Sequence, residues 1–181
     1  MERCRYDYIG NKVWEILIEQ KIDKLPIDII KICKNMDIDV IESNFKSCSI
    51  DYHDKNIINF DEKIKKYEKI RFLIGHELGH IMLNQENESY SEKEHEANLF
   101  SRKLLAPLGI IYNAGINTPD DISQLCDVSK MVALKRYYRL LKENIIHRYG
   151  ENSLESEVIH NFDNFLKAYR KQKSNYESKK I

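Results

Sequence analysis

Along the first third of the chain, apolar residues recur first at helical and then at alternating spacing. Trp14, Leu17 and Ile18 fall at helical intervals within Val13 to Lys21. Ile29, Ile30 and Cys33 form one side of a second helix through about Lys34, with Pro26 suited to its first turn. After Asn35 the period changes. Ile38 to Ile41 alternates as a short strand, and residues 47–53 and 55–60 read as two more around a turn at His53-Asp54. The last of these, Asn56-Ile-Ile-Asn-Phe60, is expected at a sheet edge, with backbone groups free to pair with an extended peptide. Helical spacing then returns. Asp61 suits the N-cap of a helix running to about Leu83, in which Ile70, Leu73, Ile74, Leu78, Ile81 and Met82 predict burial. A polar loop from Asn84 to Tyr90 separates it from a helix that starts near Ser91 and ends at Pro107. Gly109 and Gly115 weaken any helix between them, Asn113 to Pro119 reads as loop, and helices follow at 120–125 and 129–142. Leu154, Val158, Ile159, Phe162, Phe165 and Leu166 predict one more helix against the body or a partner, and the basic residues from Lys167 onward predict a frayed end.

This order of elements predicts an α+β protein: a small, mainly antiparallel sheet, one buried helix, and a helical C-terminal part. Residues 1–115 are expected to form the main domain, 116–148 a helix-turn-helix-like segment packed on it, and 149–181 a charged helical tail. Composition narrows the function little. In 181 residues, 29 Lys and Arg balance 29 Asp and Glu, so no global charge draws the chain to nucleic acid or anionic membrane. No apolar run approaches the roughly 18 residues of a membrane span, and the residues after Met1 lead into no apolar signal core. Cys4, Cys33, Cys48 and Cys126 lie far apart without a C-x-x-C pair, which disfavours a zinc ribbon or a dithiol redox motif. Reduced thiols and a cytoplasmic location are expected.

The candidate chemistry is concentrated in the buried helix, at His76-Glu77-Leu-Gly-His80. Residues four apart stack on a helix, so His76 and His80 can hold one metal ion, with Glu77 a step round the helix where it reaches an attacking water. A chain of this composition should hold about 0.02 such pentads by chance. A catalytic zinc needs a third protein ligand and an open position. A third His six residues beyond His80 is excluded, because Leu83 and Glu86 occupy the positions that such a motif requires. The next helix offers Glu92, Glu94 and Glu96. Glu94 shares a side with Ala97, Asn98, Ser101 and Leu105; Glu96 leans toward Phe100 and Lys103; Glu92 sits near the helix start. Glu94 has a competing use, since Ser91-x-x-Glu94 matches a capping box. Asn98, four residues on, offers an amide that can accept from the outer N–H of a ligand histidine.

Arg71-Phe72, His76-Glu-Leu-Gly-His80 and Glu94-x-x-Ala97-Asn98-x-Phe100-x-x-x-Leu104-Leu105-x-Pro107 together resemble the ImmA/IrrE metallopeptidase family. The motifs span Arg71 to Pro107, with a weaker likeness through 120–142. The resemblance implies zinc bound by His76, His80 and Glu94, with Glu77 as catalytic base; Ser101 departs from the Ala often found there. Such an enzyme is a zinc endopeptidase, with 1–115 as its catalytic domain. Its implied substrate is a helix-turn-helix transcriptional repressor of a prophage, mobile element or stress switch. Manganese or another divalent cation suits the same ligands. For a second oxyanion donor the sequence offers Tyr52, His53, Arg71 and Tyr112, although Arg71 better suits pairing with a carboxylate or capping backbone, and His95 suits solvent.

Two other functions fit parts of the chain. Lys130, Lys135, Arg136, Arg139, Lys142 and Arg148, against Glu143, make the helix pair at 120–142 basic enough for a DNA-binding regulator. Packing of that pair on the catalytic domain is the expectation preferred. A toxin–antitoxin-type partner protein with a structural metal is the third reading.

Overall fold

In the computed structural model, residues 2–52, 55–86, 88–143 and 153–178 are described. The chain opens with helix α1 (Glu2–Glu19), longer at its start than the apolar spacing indicated, with Ile9, Val13, Ile16 and Leu17 buried along one face. Helix α2 (Ile29–Asn35) begins after Pro26, not at it. The side chain of Asp28 accepts from the Lys31 N–H, and that cap fixes the start. Three strands follow, β1 (Asp39–Ser43), β2 (Cys48–Tyr52) and β3 (Lys55–Asp61), in the spatial order β1-β3-β2.

The strand expected at the edge is therefore central. β3 pairs parallel with β1 and antiparallel with β2, so the small sheet is mixed. The reason lies in Ile58 and Asn59, successive residues on opposite faces and both buried. Ile58 joins the core, while Asn59 accepts from Ser43 Oγ at 2.6 Å and donates to Lys46 O at 3.1 Å, tying down the β1–β2 connection. A polar residue that reads as solvent-facing is thus a buried clamp. The turn expected at His53-Asp54 lies outside the described residues.

Helix α3 (Tyr67–Met82) carries the two histidines and packs against β3, β2, α2 and above all α4 (Tyr90–Leu105). It does not start at Asp61. That residue ends β3, and its carboxylate accepts from the Lys63 N–H at 2.9 Å, which turns the chain before the helix begins. α4 starts one residue earlier than expected, with Ser89 as its cap. A short helix α5 (Leu108–Asn113) forms despite Gly109, because Leu108, Ile110 and Ile111 are all buried; Gly115, at φ +69°, follows it.

Helices α6 (Pro119–Cys126) and α7 (Lys130–Glu143) meet at Asp127, which adopts a left-handed conformation. The Arg71 guanidinium, 2 % exposed, donates to Asp127 at 2.8 Å and to Ile27 O at 2.7 Å, so α3 holds this turn in place. Finally, α8 (Ser153–Asn161) packs on α1 and α5, and α9 (Asp163–Ser178) follows it. The expected frayed end is corrected here: Arg170 donates to Asn113 O and Lys173 to Gly115 O, anchoring α9 on the carbonyls that close α5. Val158, Phe162 and Leu166 belong to the same core as Ile74 and Leu78 of α3. No helix among the described residues is long and apolar enough to cross a membrane.

Candidate metal centre

The site begins with how closely α3 and α4 approach. Ser101 Oγ donates to Phe72 O at 2.8 Å, Gly79 faces Ala97 and Phe100, and His80 faces Glu94. Rising numbers on α3 meet falling numbers on α4, so the helices run antiparallel. Glycine makes the approach possible. A Cβ on Gly79 would stand 3.1 Å from Ala97 Cα and 3.2 Å from Phe100 Cβ, and one on Gly75 would stand 2.7 Å from Ser101 Oγ.

At that crossing His76, His80 and Glu94 come together. Their ligand atoms all lie within 4.8 Å of one another. His76 Nε2 and His80 Nε2 are 3.1 Å apart; Glu94 Oε1 is 3.3 Å from His80 Nε2, and Glu94 Oε2 is 3.5 Å from His76 Nε2. Ligand atoms sharing one tetrahedral ion at 2.0–2.1 Å stand about 3.3 Å apart. Two imidazoles and a carboxylate at these spacings can therefore hold a divalent metal ion. Burial first, and then the neighbouring His80, push the His76 imidazole below its usual range, which favours the neutral form that ligates. Glu77 is buried directly beside His76.

The amides around the cluster set its orientation. Gln85 Nε2 donates to Glu96 Oε2 at 3.0 Å and to Lys93 O at 3.2 Å, so its oxygen faces His80 Nδ1 at 3.1 Å. His80 must then carry its proton on Nδ1, leaving the Nε2 lone pair aimed into the cluster. Behind Gln85, Glu96 accepts from Arg5 Nε at 2.6 Å and from a second guanidinium nitrogen. The Arg5 bond, the largest influence, and the Gln85 amide hold the Glu96 carboxyl below the usual range against its burial. Asn98 Nδ2 donates to Glu94 O at 2.6 Å, and the Asn98 side chain also bonds His76.

The three carboxylates offered by the sequence thus separate by task. Glu92 forms the capping box with Ser89, each bonding the other's backbone N–H, so the box lies two residues before the one that competed for Glu94. Glu96 is buried against Arg5 and Gln85, and Glu94 faces the histidines. Arg71 is spent on Asp127 and Ile27, as its preferred reading required, and is withdrawn from any oxyanion role. Tyr112 stands exposed on α5 and His95 exposed on α4. His53 and the Tyr52 side chain lie outside the described residues. Gln85 and Arg5 are the residues that sequence reasoning missed. Gln85 had only its place in the loop after the ligand helix to mark it, and Arg5, 91 residues from Glu96, had no mark at all.

The basic helix α7 is also partly committed. Arg136 is buried and donates to Ala106 O at 2.7 Å, and Arg139 lies over the Tyr6 ring at 4.0 Å. Among the four cysteines, Cys33, Cys48 and Cys126 are free thiols, and the Cys4 side chain is outside those described.

Comparison with known families matches residues 33–149, most of the chain, to Peptidase_M78, the IrrE N-terminal-like domain. No curated protein matches it.

Proposed function

The chain belongs to the Peptidase_M78 family, and on that premise we propose that it is a zinc-dependent endopeptidase whose metal is held by His76, His80 and Glu94. The convergence of those three ligand atoms at spacings suited to one ion carries the reading. Manganese or a similar cation is the alternative occupant. A bound cation of this kind supplies Lewis acidity and makes hydroxide available near neutral pH.

The chain's own residues do the rest. The Glu77 carboxylate, held beside His76, takes the proton of a water as its oxygen attacks the peptide carbonyl carbon. It then delivers that proton to the amide nitrogen as the C–N bond breaks. Gln85 fixes the tautomer and ring angle of His80, and Asn98 accepts from the outer N–H of His76 while bracing the backbone of Glu94.

Residues 1–115 form the catalytic domain in this reading, with 116–148 and 149–181 as its helical buttress. The substrate is a cytoplasmic protein, and the family resemblance points to a helix-turn-helix repressor whose cleavage releases transcription. The DNA-binding alternative is weakened because Arg136 and Arg139 serve internal contacts.

Incubating the zinc-loaded chain with repressors encoded by neighbouring genes tests this. The wild type is expected to cut one of them, and Glu77→Gln to retain zinc while losing at least a hundredfold in rate. Full cleavage by the Glu77 variant would sink the mechanism; unchanged zinc stoichiometry in Glu94→Ala would remove Glu94 from the ligand set.

A further inference from the structure

The helix pair that carries the cluster extends beyond it, and Asn98, which bonds His76, also lines a pocket there. On α4, Glu94, Asn98 and Arg102 follow one another at intervals of four and share a face; on α3, Phe72, His76 and His80 do the same. Because the helices are antiparallel, Phe72 and Arg102 meet at the same end of the pair. There α7 closes it into a pocket of about 510 Å³, which Asn98 also lines.

The pocket has an apolar lining from Phe72, Leu73 and Val132. Around it stand Lys69, Arg102 and Lys135 against one carboxylate, Glu68. Arg102 is the informative member. It is only partly exposed, yet its guanidinium makes no hydrogen bond or ion pair with a described residue. Burial and the nearby Arg136 both act against its charge. Guanidinium groups withdrawn from water are ordinarily paired, and this one keeps five N–H donors for something outside the fold.

We propose that this pocket is a substrate subsite that takes an acidic side chain of the peptide held at the metal centre. The proposal rests on the peptidase reading and names its sequence preference. Geometry sets the register. Eight residues from Glu94 to Arg102, at 1.5 Å each, span about 12 Å. An extended peptide covers that distance in three to four residues at about 3.3 Å each. The acid therefore belongs three or four residues from the scissile bond. Its methylene stem lies on Phe72 and Leu73, its carboxylate meets the Arg102 fork, and the exposed Lys69 and Lys135 ammonium groups add salt-sensitive attraction.

Peptide hydroxamates, which grip zinc without being cut, separate this preference from catalysis. A series with Glu, Gln or Lys three or four residues from a hydroxamate at either end is titrated against the zinc-loaded full chain. The Glu peptide is expected to bind about tenfold more tightly than the Gln peptide, and the Lys peptide most weakly. Arg102→Gln should bring the Glu/Gln ratio to near one, Arg102→Lys should keep part of it, and the surface variant Lys135→Gln should lower only its salt dependence. Equal affinity of the wild type for Glu and Gln peptides overturns the subsite, as does a Glu preference that survives Arg102→Gln. Inorganic phosphate binding more tightly than the Glu peptide, and displaced by Arg102→Gln, would reassign the pocket to a free anion and overturn it too. The Glu77→Gln variant should give wild-type ratios. An intact acid preference beside a failure to cut any protein therefore sinks the peptidase reading alone.

Discussion

Gln85 shows how much of a metal centre rests on one amide. With its nitrogen committed to Glu96 and Lys93 O, only its oxygen can face His80, and the histidine's tautomer follows. Gln85→Leu should leave the fold intact and weaken zinc binding about 10–100-fold, read by chelator competition. Unchanged affinity would strip Gln85 of that role. Glu96 gives a pH-dependent counterpart. A carboxyl held below its usual pKa stabilises the fold above the ordinary Glu value of about 4.3, and that contribution fades as pH falls through the depressed value. Glu96→Gln should therefore cost about 1–3 kcal/mol at pH 7, and the gap between the two proteins in urea melts should close as pH falls through the depressed Glu96 value. The thiols behave oppositely. Burial pushes both Cys33 and Cys126 up to about 12, so native alkylation at pH 8–9 should label Cys48 and leave those two until the protein unfolds. At this scale the sequence made the cluster legible because its members are local: His76, His80 and Glu94, which the structure brings together, lie on two successive helices. Arg5 was not, because a contact across 91 residues leaves no local pattern.

Elements were legible in kind more than in extent. The period of the apolar residues identified the histidine helix and its partner, since burial on one face imposes that period. Their starts were misjudged because Asp61 and Ser91 both look like caps, while Asp61 serves a turn and Ser89 takes the cap. The central place of β3 was hidden for a related reason: Asn59 is buried by hydrogen bonding, which hydropathy cannot register. The α3–α4 contact itself yields a contrast. Gly79→Ala meets a backbone carbon and Phe100, neither of which can swing away. It should lose about 1–3 kcal/mol to overpacking, against roughly 1 gained in helix propensity, and weaken zinc binding as His80 moves from Glu94. Gly75→Ala meets the Ser101 hydroxyl instead, so Ser101→Ala should restore much of what it loses. Additive effects in that pair, measured as a double-mutant cycle, would refute the contact.

For the whole molecule, the last described helices complete the core, where the apolar spacing from Leu154 to Leu166 placed a helix against the body or a partner. Val158 and Phe162 are fully buried, and α8 lies against α1, which itself packs on α4. Ending the chain at residue 152 should expose this face and forfeit about 1.5–3 kcal/mol for each large apolar side chain uncovered. A sharp fall in melting temperature, with aggregation, is the expected readout; an unchanged melt would mean that the core closes without α8. What the charge-rich composition beyond Lys167 concealed is the anchoring of α9, because Arg170 and Lys173 bond carbonyls that close α5 while reading as solvent-facing cations. The same layering has a consequence in time. The ribosome makes Arg5 and both helices of the cluster well before Val158, an interval of about 3–10 seconds at roughly 5–20 residues per second. During it the ligands exist, but the strut from Arg5 through Glu96 to Gln85 hangs on a helix not yet covered on its far side. A growing chain therefore carries a loosely braced cluster, and its full bracing arrives only with α8 and α9.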